Sequence, residues 1–161
     1  MLQLRSTSVA DTHAIAAVIA GVARTGDIVV LAGDMGAGKT AFAQGFGAAM
    51  GVTDHMTSPT YNLVHSHPTP GRIVLHHADL YRLSTQHEVA DLAFAELAES
   101  GGVIIVEWGD VVASSFGDHL LVEIEPVDDA DDERLLAVRP IGRSWAGRWD
   151  EITRGLGRFS C

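Results

Sequence analysis

Eight consecutive residues, Gly33-Asp34-Met35-Gly36-Ala37-Gly38-Lys39-Thr40, satisfy the pattern G-x-x-x-x-G-K-[ST], and the chemistry of that pattern is phosphate binding. Glycines let successive backbone N–H groups turn inward around an anion, and a helix starting at the loop adds the partial positive charge of its N-terminus. Lys39 would neutralise the β- and γ-phosphates, and the Thr40 hydroxyl would be a ligand of Mg²⁺. Asp34, Met35, Gly36, Ala37, Gly38, Lys39, Thr40 and Ala41 are therefore the candidate nucleotide-binding residues. Lys39 is also the only lysine among eleven Lys and Arg residues. A compact ammonium fits between phosphates where a planar guanidinium fits poorly.

A nucleotide hydrolase needs a carboxylate near the metal and a group to place the attacking water. Glu107 directly follows the apolar run Val103 to Val106, and ligands of α/β sheets bind beyond the carboxyl ends of the strands. Glu107 is thus the natural acidic partner of Thr40, although a solvated acid at a strand end is the plainer alternative. Asp79 ends a second run, Ile73 to Ala78, and could approach the ion or its waters. Asp34 orients water or caps a turn. Thr57, Ser58, Pro59 and Thr60 form a hydroxyl-rich loop, either a segment that senses the γ-phosphate or a connector. Trp108 stacks a base or packs at a sheet edge. Four histidines, His65, His67, His76 and His77, fall on neighbouring strands, but adjacent His76 and His77 point to opposite faces, which argues against zinc.

The elements that must position these groups follow in order. Asp11 or Thr12 can cap a helix with Ile15, Ala16, Val18, Ile19 and Val22 at helical spacing, ending near Gly26. Asp27 to Leu31 is a buried strand running into the loop, and Thr40 to Met50 is the helix leaving it. Gly45 and Gly47 weaken that helix, as a closely packed second backbone would require. Tyr61 to Ser66 and Ile73 to Ala78 form an antiparallel hairpin turned by Pro68, Pro70 and Gly71. His87 to Ala98 is an amphipathic helix. Val103 to Val106 is a strand covered on both faces. Leu120 to Ile124 and Leu135 to Val138 flank an acidic turn, and Trp145 with Trp149 marks a short terminal helix.

The 161 residues are expected to form one domain, 1–161, with 139–161 as a candidate C-terminal appendage. An apolar content of 47% with 20% charged residues reads as globular. The single cysteine, Cys161, allows no disulfide within the chain and fits a reducing cytosol. No apolar run is long enough to cross a bilayer, and Met1 to Val9 lacks the features of a secretory leader, so the expected location is cytoplasmic, with no membrane contact. A formal net charge of -10 argues against a chain that holds nucleic acid by itself. The arginines Arg139, Arg143, Arg148, Arg154 and Arg158 make the C-terminal end locally basic, as a solvated face, a partner contact or a phosphate contact.

Taken together, the strings Gly26-Asp27, GDMGAGKT from Gly33, SPTYNLV from Ser58, HADLYRL from His77 and VEWGD from Val106 resemble the TsaE family, in family order over roughly Thr12 to Asp110. The resemblance implies a small P-loop NTPase-like three-layer α/β fold with a mixed central sheet and flanking helices. It implies ATP and Mg²⁺ as cofactors, slow ATP hydrolysis, and a complex with the TsaB and TsaD proteins. In that complex TsaD transfers a threonylcarbamoyl group to adenosine 37 of tRNAs reading ANN codons, so tRNA is met only through the complex. Thr40 and Glu107 match the magnesium positions, Lys39 the phosphate lysine, Asp79 the acid of DLYR, Thr60 the switch-like loop, and Arg134 an arginine near the nucleotide. Met35 replaces a leucine, and Asn62 stands where threonine is common.

The main rival is a small-molecule kinase, which would need a lid and a second substrate pocket. A non-catalytic, nucleotide-gated binding protein is another. A GTPase is disfavoured because the guanine-reading N-K-x-D motif requires a second lysine. No arginine finger is evident in cis beyond Arg82, so hydrolysis by the chain alone is expected to be slow.

Overall fold

The computed structural model describes residues 1–34, 36–57, 64–71, 73–80, 96–97, 100–107 and 117–161. Among them, seven strands form one mixed sheet: β1 (Leu2–Ser6), β2 (Ile28–Ala32), β3 (Val64–Pro68), β4 (Val74–Asp79), β5 (Gly102–Glu107), β6 (His119–Val127) and β7 (Ala130–Ile141). Their spatial order is β1-β7-β6-β2-β5-β4-β3. The four central strands β6, β2, β5 and β4 run parallel, while β3 and the β7–β1 pair close the two edges antiparallel. Helices α1 (Val9–Gly21), α2 (Lys39–Ala49) and α3 (Trp149–Gly155) complete the described elements, with two short 3₁₀ turns beside α3.

The central strands are apolar because both their faces are covered. Along β2 the period of two sends Val29 and Leu31 into the core shared with α1 and α2, where Phe42 and Phe46 are fully buried. Ile28, Val30 and Ala32 point the other way, into a second cluster with Ile104, Val106, Ala78 and Leu80. Such a strand tolerates polar groups only at its end, which is where the chemistry begins.

The two helices approach closely because α2 carries Gly45 at the crossing. A Cβ there would lie 2.6 Å from the Cα of His13 on α1. The close second backbone expected from Gly45 is therefore present, and the glycine's cost to helix propensity, about 1 kcal/mol, is offset by that contact.

Several expected boundaries move. The cap of α1 is Ser8 rather than Asp11 or Thr12: its hydroxyl accepts from the Asp11 amide at 3.1 Å. The Asp11 carboxylate reaches back to the amide and hydroxyl of Thr7, and those bonds, the amide first, hold its carboxyl below the usual range. The helix stops at Gly21, short of Gly26. The strands β6 and β7 span 9 and 12 residues, longer than expected, and turn through Asp129 in the left-handed region at φ 60°. The antiparallel β3–β4 hairpin forms as expected, while Tyr61 to Leu63 and most of the expected helix His87 to Ala98 lie outside the described residues. No described helix is long and apolar enough to cross a membrane.

The C-terminal segment is built into the core. Trp145, Ile152 and Leu156 are fully buried, and Phe159 is nearly so. Arg148 clamps it to the start of β2, its two terminal nitrogens donating to Asp27 at 2.5 and 2.9 Å, and to the carbonyls of Val22 and Ser144. The guanidinium also lies 4.2 Å from the Trp145 ring centroid.

Candidate functional site

The site lies where the carboxyl ends of β2, β4 and β5 meet the start of α2. Gly33 leaves β2 at φ 148°, and a Cβ on it would sit 2.4 Å from the Ile124 carbonyl oxygen of β6, so only glycine passes. Gly36 and Gly38 take φ values of 80° and 111°. Gly38 is the N-cap of α2 and supplies no side-chain hydrogen bond, so the amides of the helix's first turn have no side-chain cap. An anion satisfies such amides best.

Lys39 opens α2 and is 4% exposed. Its Nζ donates to the carbonyls of Gly33 and Asp34, each at 2.7 Å, and folds the loop back over the end of β2. The amide of Ala37 also donates to the Asp34 carbonyl at 3.0 Å. Asp34 thus shapes the turn through its main chain, while the residue itself is exposed.

Glu107, the last residue of β5, is 2% exposed. Its register partners are Leu31 on β2 and Asp79 on β4, and the amide of Leu80 donates to its carbonyl at 3.0 Å. The side chain turns toward α2. Its Oε1 accepts from the Thr40 hydroxyl at 2.8 Å, and its Oε2 lies 2.5 Å from Nε2 of the fully buried His77. Nε2 of His77 and Oε2 of Glu107 share one hydrogen bond, so both carboxyl oxygens of Glu107 are engaged inside the protein. The plainer alternative for Glu107, a solvated acid, does not hold.

Arg134 reaches the loop from β7. Its Nε donates to the Ala37 carbonyl at 2.7 Å, and Nη1 donates to the carbonyls of Asp131 and Glu133. A Cβ on Gly38 would lie 3.6 Å from the same Nε. The long β6–β7 ribbon therefore reaches the glycine-rich loop at Ala37 through Arg134.

Asp34, Gly36, Ala37, Gly38, Lys39, Thr40, Ala41, Asp79, Glu107 and Arg134 are thereby gathered at one end of the sheet. Met35, Thr60, Arg82 and Trp108 lie outside the described residues. His77 is the group that sequence reasoning missed. The alternation that separates His76 from His77 also puts His77 on the face of Asp79 and Glu107, so the signal was available. His76 faces away, with Nδ1 2.8 Å from the Ser66 hydroxyl.

The donor set suits a hard cation bound together with phosphates. Thr40, Glu107 and Asp79 offer oxygens, and Mg²⁺ takes one or two carboxylates and completes its shell with substrate oxygens and water. Among the described residues no three His, Cys, Asp or Glu side chains group into a metal site of their own. The left-handed glycines and the uncapped start of α2 fit a polyphosphate beside such an ion.

Residues 6–136 match the family described as threonylcarbamoyl adenosine biosynthesis protein TsaE. The tRNA threonylcarbamoyladenosine biosynthesis protein TsaE of Bacillus subtilis is 33% identical over 153 residues, covering 95% of this chain and 94% of the relative. Its counterpart in Streptomyces coelicolor is 37% identical over 132 residues, covering 80% and 89%. A crystal structure of Bacillus subtilis YdiB superposes with a TM-score of 0.74 at 28% identity, over 98% of this chain and 94% of that one.

Proposed function

Because the chain belongs to the TsaE family of threonylcarbamoyl adenosine biosynthesis proteins, we propose that it is the Mg²⁺-dependent ATPase of threonylcarbamoyladenosine formation in tRNA. In this reading residues 1–161 are one cytoplasmic P-loop ATPase domain. It works with TsaB and TsaD, supports or resets the transferase between turnovers, and meets tRNA only through them. The observation that carries the reading is the hydrogen bond from Thr40 to Glu107, which brings a hydroxyl and a carboxyl group together at the end of the glycine-rich loop.

The main-chain amides of Gly36, Gly38 and Lys39 would hold the phosphates, and Lys39 would exchange its carbonyl partners for phosphate oxygens as ATP enters. Thr40 and Glu107 would hold a magnesium ion, and Asp79, beside Glu107 in register, would lie near it. Such an ion would supply neutralisation of phosphate charge. Glu107 orients the attacking water and Arg134 braces the loop through the Ala37 carbonyl, while Trp108 and Thr60 remain candidates from the sequence alone. The chain alone is slow, because charge stabilisation of the arginine-finger kind, worth about 10³ to 10⁵ in rate, awaits assembly.

The test is a mixture of TsaB, TsaD, tRNA, a threonylcarbamoyl donor and ATP with and without this chain. Repeated rounds of tRNA modification that require the chain and consume ATP support the reading. Equal multi-turnover modification without it contradicts it. Transfer of phosphate to a small-molecule acceptor in place of release to water would favour a kinase.

A further inference from the structure

Glu107 is held at both oxygens, and only one of the two holders belongs to the phosphate-loop motif. Thr40 takes Oε1 from α2, and His77 takes Oε2 from β4. Nothing in the phosphate chemistry above uses His77. It is nevertheless 0% exposed, and its Nδ1 is buried with no hydrogen-bond partner among the described residues. A polar ring placed there at such desolvation cost, with one nitrogen unsatisfied, is a poor choice for packing alone.

The geometry follows from register. On the parallel β4–β5 pair, Asp79 stands opposite Glu107, and His77, two residues earlier, is on the same face opposite Ile105. The imidazole therefore comes up from beneath and meets Oε2 at 2.5 Å. With Oε2 anchored from below, rotation about the terminal carbon–carbon bond of Glu107 is arrested and Oε1 is aimed at Thr40. A glutamate has one more rotatable bond than an aspartate, so it needs such an anchor more.

We propose that His77 is a positioning residue for Glu107, its Nε2–H fixing the carboxylate in the orientation that receives the Thr40 hydroxyl and the ion beside it. This rests on the ATPase reading for its consequence in turnover, but not for its consequence in metal binding. Groups behind a ligand typically change metal affinity or activity by about 10- to 100-fold when removed. His77→Leu keeps the bulk and removes the donor, whereas His77→Gln places an amide N–H near the position of Nε2.

The experiment measures binding of a fluorescent ATP derivative in excess Mg²⁺ and in excess chelator, and phosphate release with TsaB and TsaD present. The proposal expects His77→Leu to leave affinity in chelator unchanged, to cut the Mg²⁺-dependent gain in affinity by about tenfold or more, and to lower kcat similarly. His77→Gln should restore most of both. A folded His77→Leu protein with the wild-type Mg²⁺ gain overturns the proposal, and so does His77→Gln failing as badly as His77→Leu. If wild-type protein shows the Mg²⁺ gain but releases no phosphate, the ATPase reading falls and the binding ratios still decide the role of His77. If wild type shows no Mg²⁺ gain, the proposal falls. Should the variants not fold, imidazole ¹⁵N spectra of the wild type decide: protonation at Nε2, perturbed by Glu107→Gln, is expected, and an Nε2 without its proton overturns the assignment.

Discussion

The Thr40 hydroxyl donates to Oε1 of Glu107 at 2.8 Å across 67 residues of chain. Parallel pairing of β2 with β5 makes this contact possible. Leu31 and Glu107 are register partners, so the chain leaving β2 turns through the glycine loop and begins α2 directly above the end of β5.

Lys39 is expected to govern nucleotide affinity. Its ammonium is buried and makes charge-assisted hydrogen bonds, each worth about 1.5–3 kcal/mol when the partner is an anion. Lys39→Ala should weaken ATP binding by at least about tenfold, measured by calorimetric titration. Lys39→Arg should not rescue it, because a planar fork cannot occupy the point between phosphates. Near-wild-type affinity in either variant would remove Lys39 from the site.

The Asp27–Arg148 pair should hold the C-terminal segment in place. Leaving one member of a buried ion pair alone costs about 3–5 kcal/mol. Arg148→Met should lower the urea midpoint by a corresponding amount. Adding Asp27→Leu should return part of it, since no uncompensated charge then remains. A single variant as stable as wild type would show the pair to be idle.

Acid should destabilise the protein through the β3–β4 hairpin. Burial pushes the pKa of His76 below its usual value. Burial does the same to His67, helped by the nearby imidazole of His77 and opposed by Asp54. The folded state therefore resists protonation that the unfolded chain accepts below about pH 6.5, so the unfolded state binds more protons there. Stability contributed by the neutral rings is present above that pH and lost as pH falls below it. Thermal midpoints measured between pH 7.5 and 5.5 should decline, and less steeply in His76→Asn. An unchanged slope in that variant would exclude His76 as a cause.

What was legible beforehand has a physical pattern. The phosphate loop could be read because left-handed turns demand glycine, and β2 and β5 because strands covered on both faces must be continuously apolar. Glu107 could be placed because a carboxylate ending such a strand has one crevice to enter. β1 alternates, with Leu2, Leu4 and Ser6 inward and Gln3 and Arg5 exposed, but five residues with only two apolar side chains are too short a run to stand out in the sequence. The true cap Ser8 was hidden by two equally good capping residues just after it. Arg148 reads as one more surface arginine, since nothing local points to Asp27, 121 residues away. His77 reads in the sequence as one of four neighbouring histidines, a grouping that the pleat divides between two faces.

Phosphate release in the assembled complex, compared between wild type and Glu107→Ala, tests the proposed engine most directly. The account expects Mg²⁺-dependent multiple turnovers in the wild type and, in the variant, ATP still bound but turnover reduced by about a hundredfold, the order of loss when a charge-stabilising group is removed. Normal turnover by Glu107→Ala would contradict it.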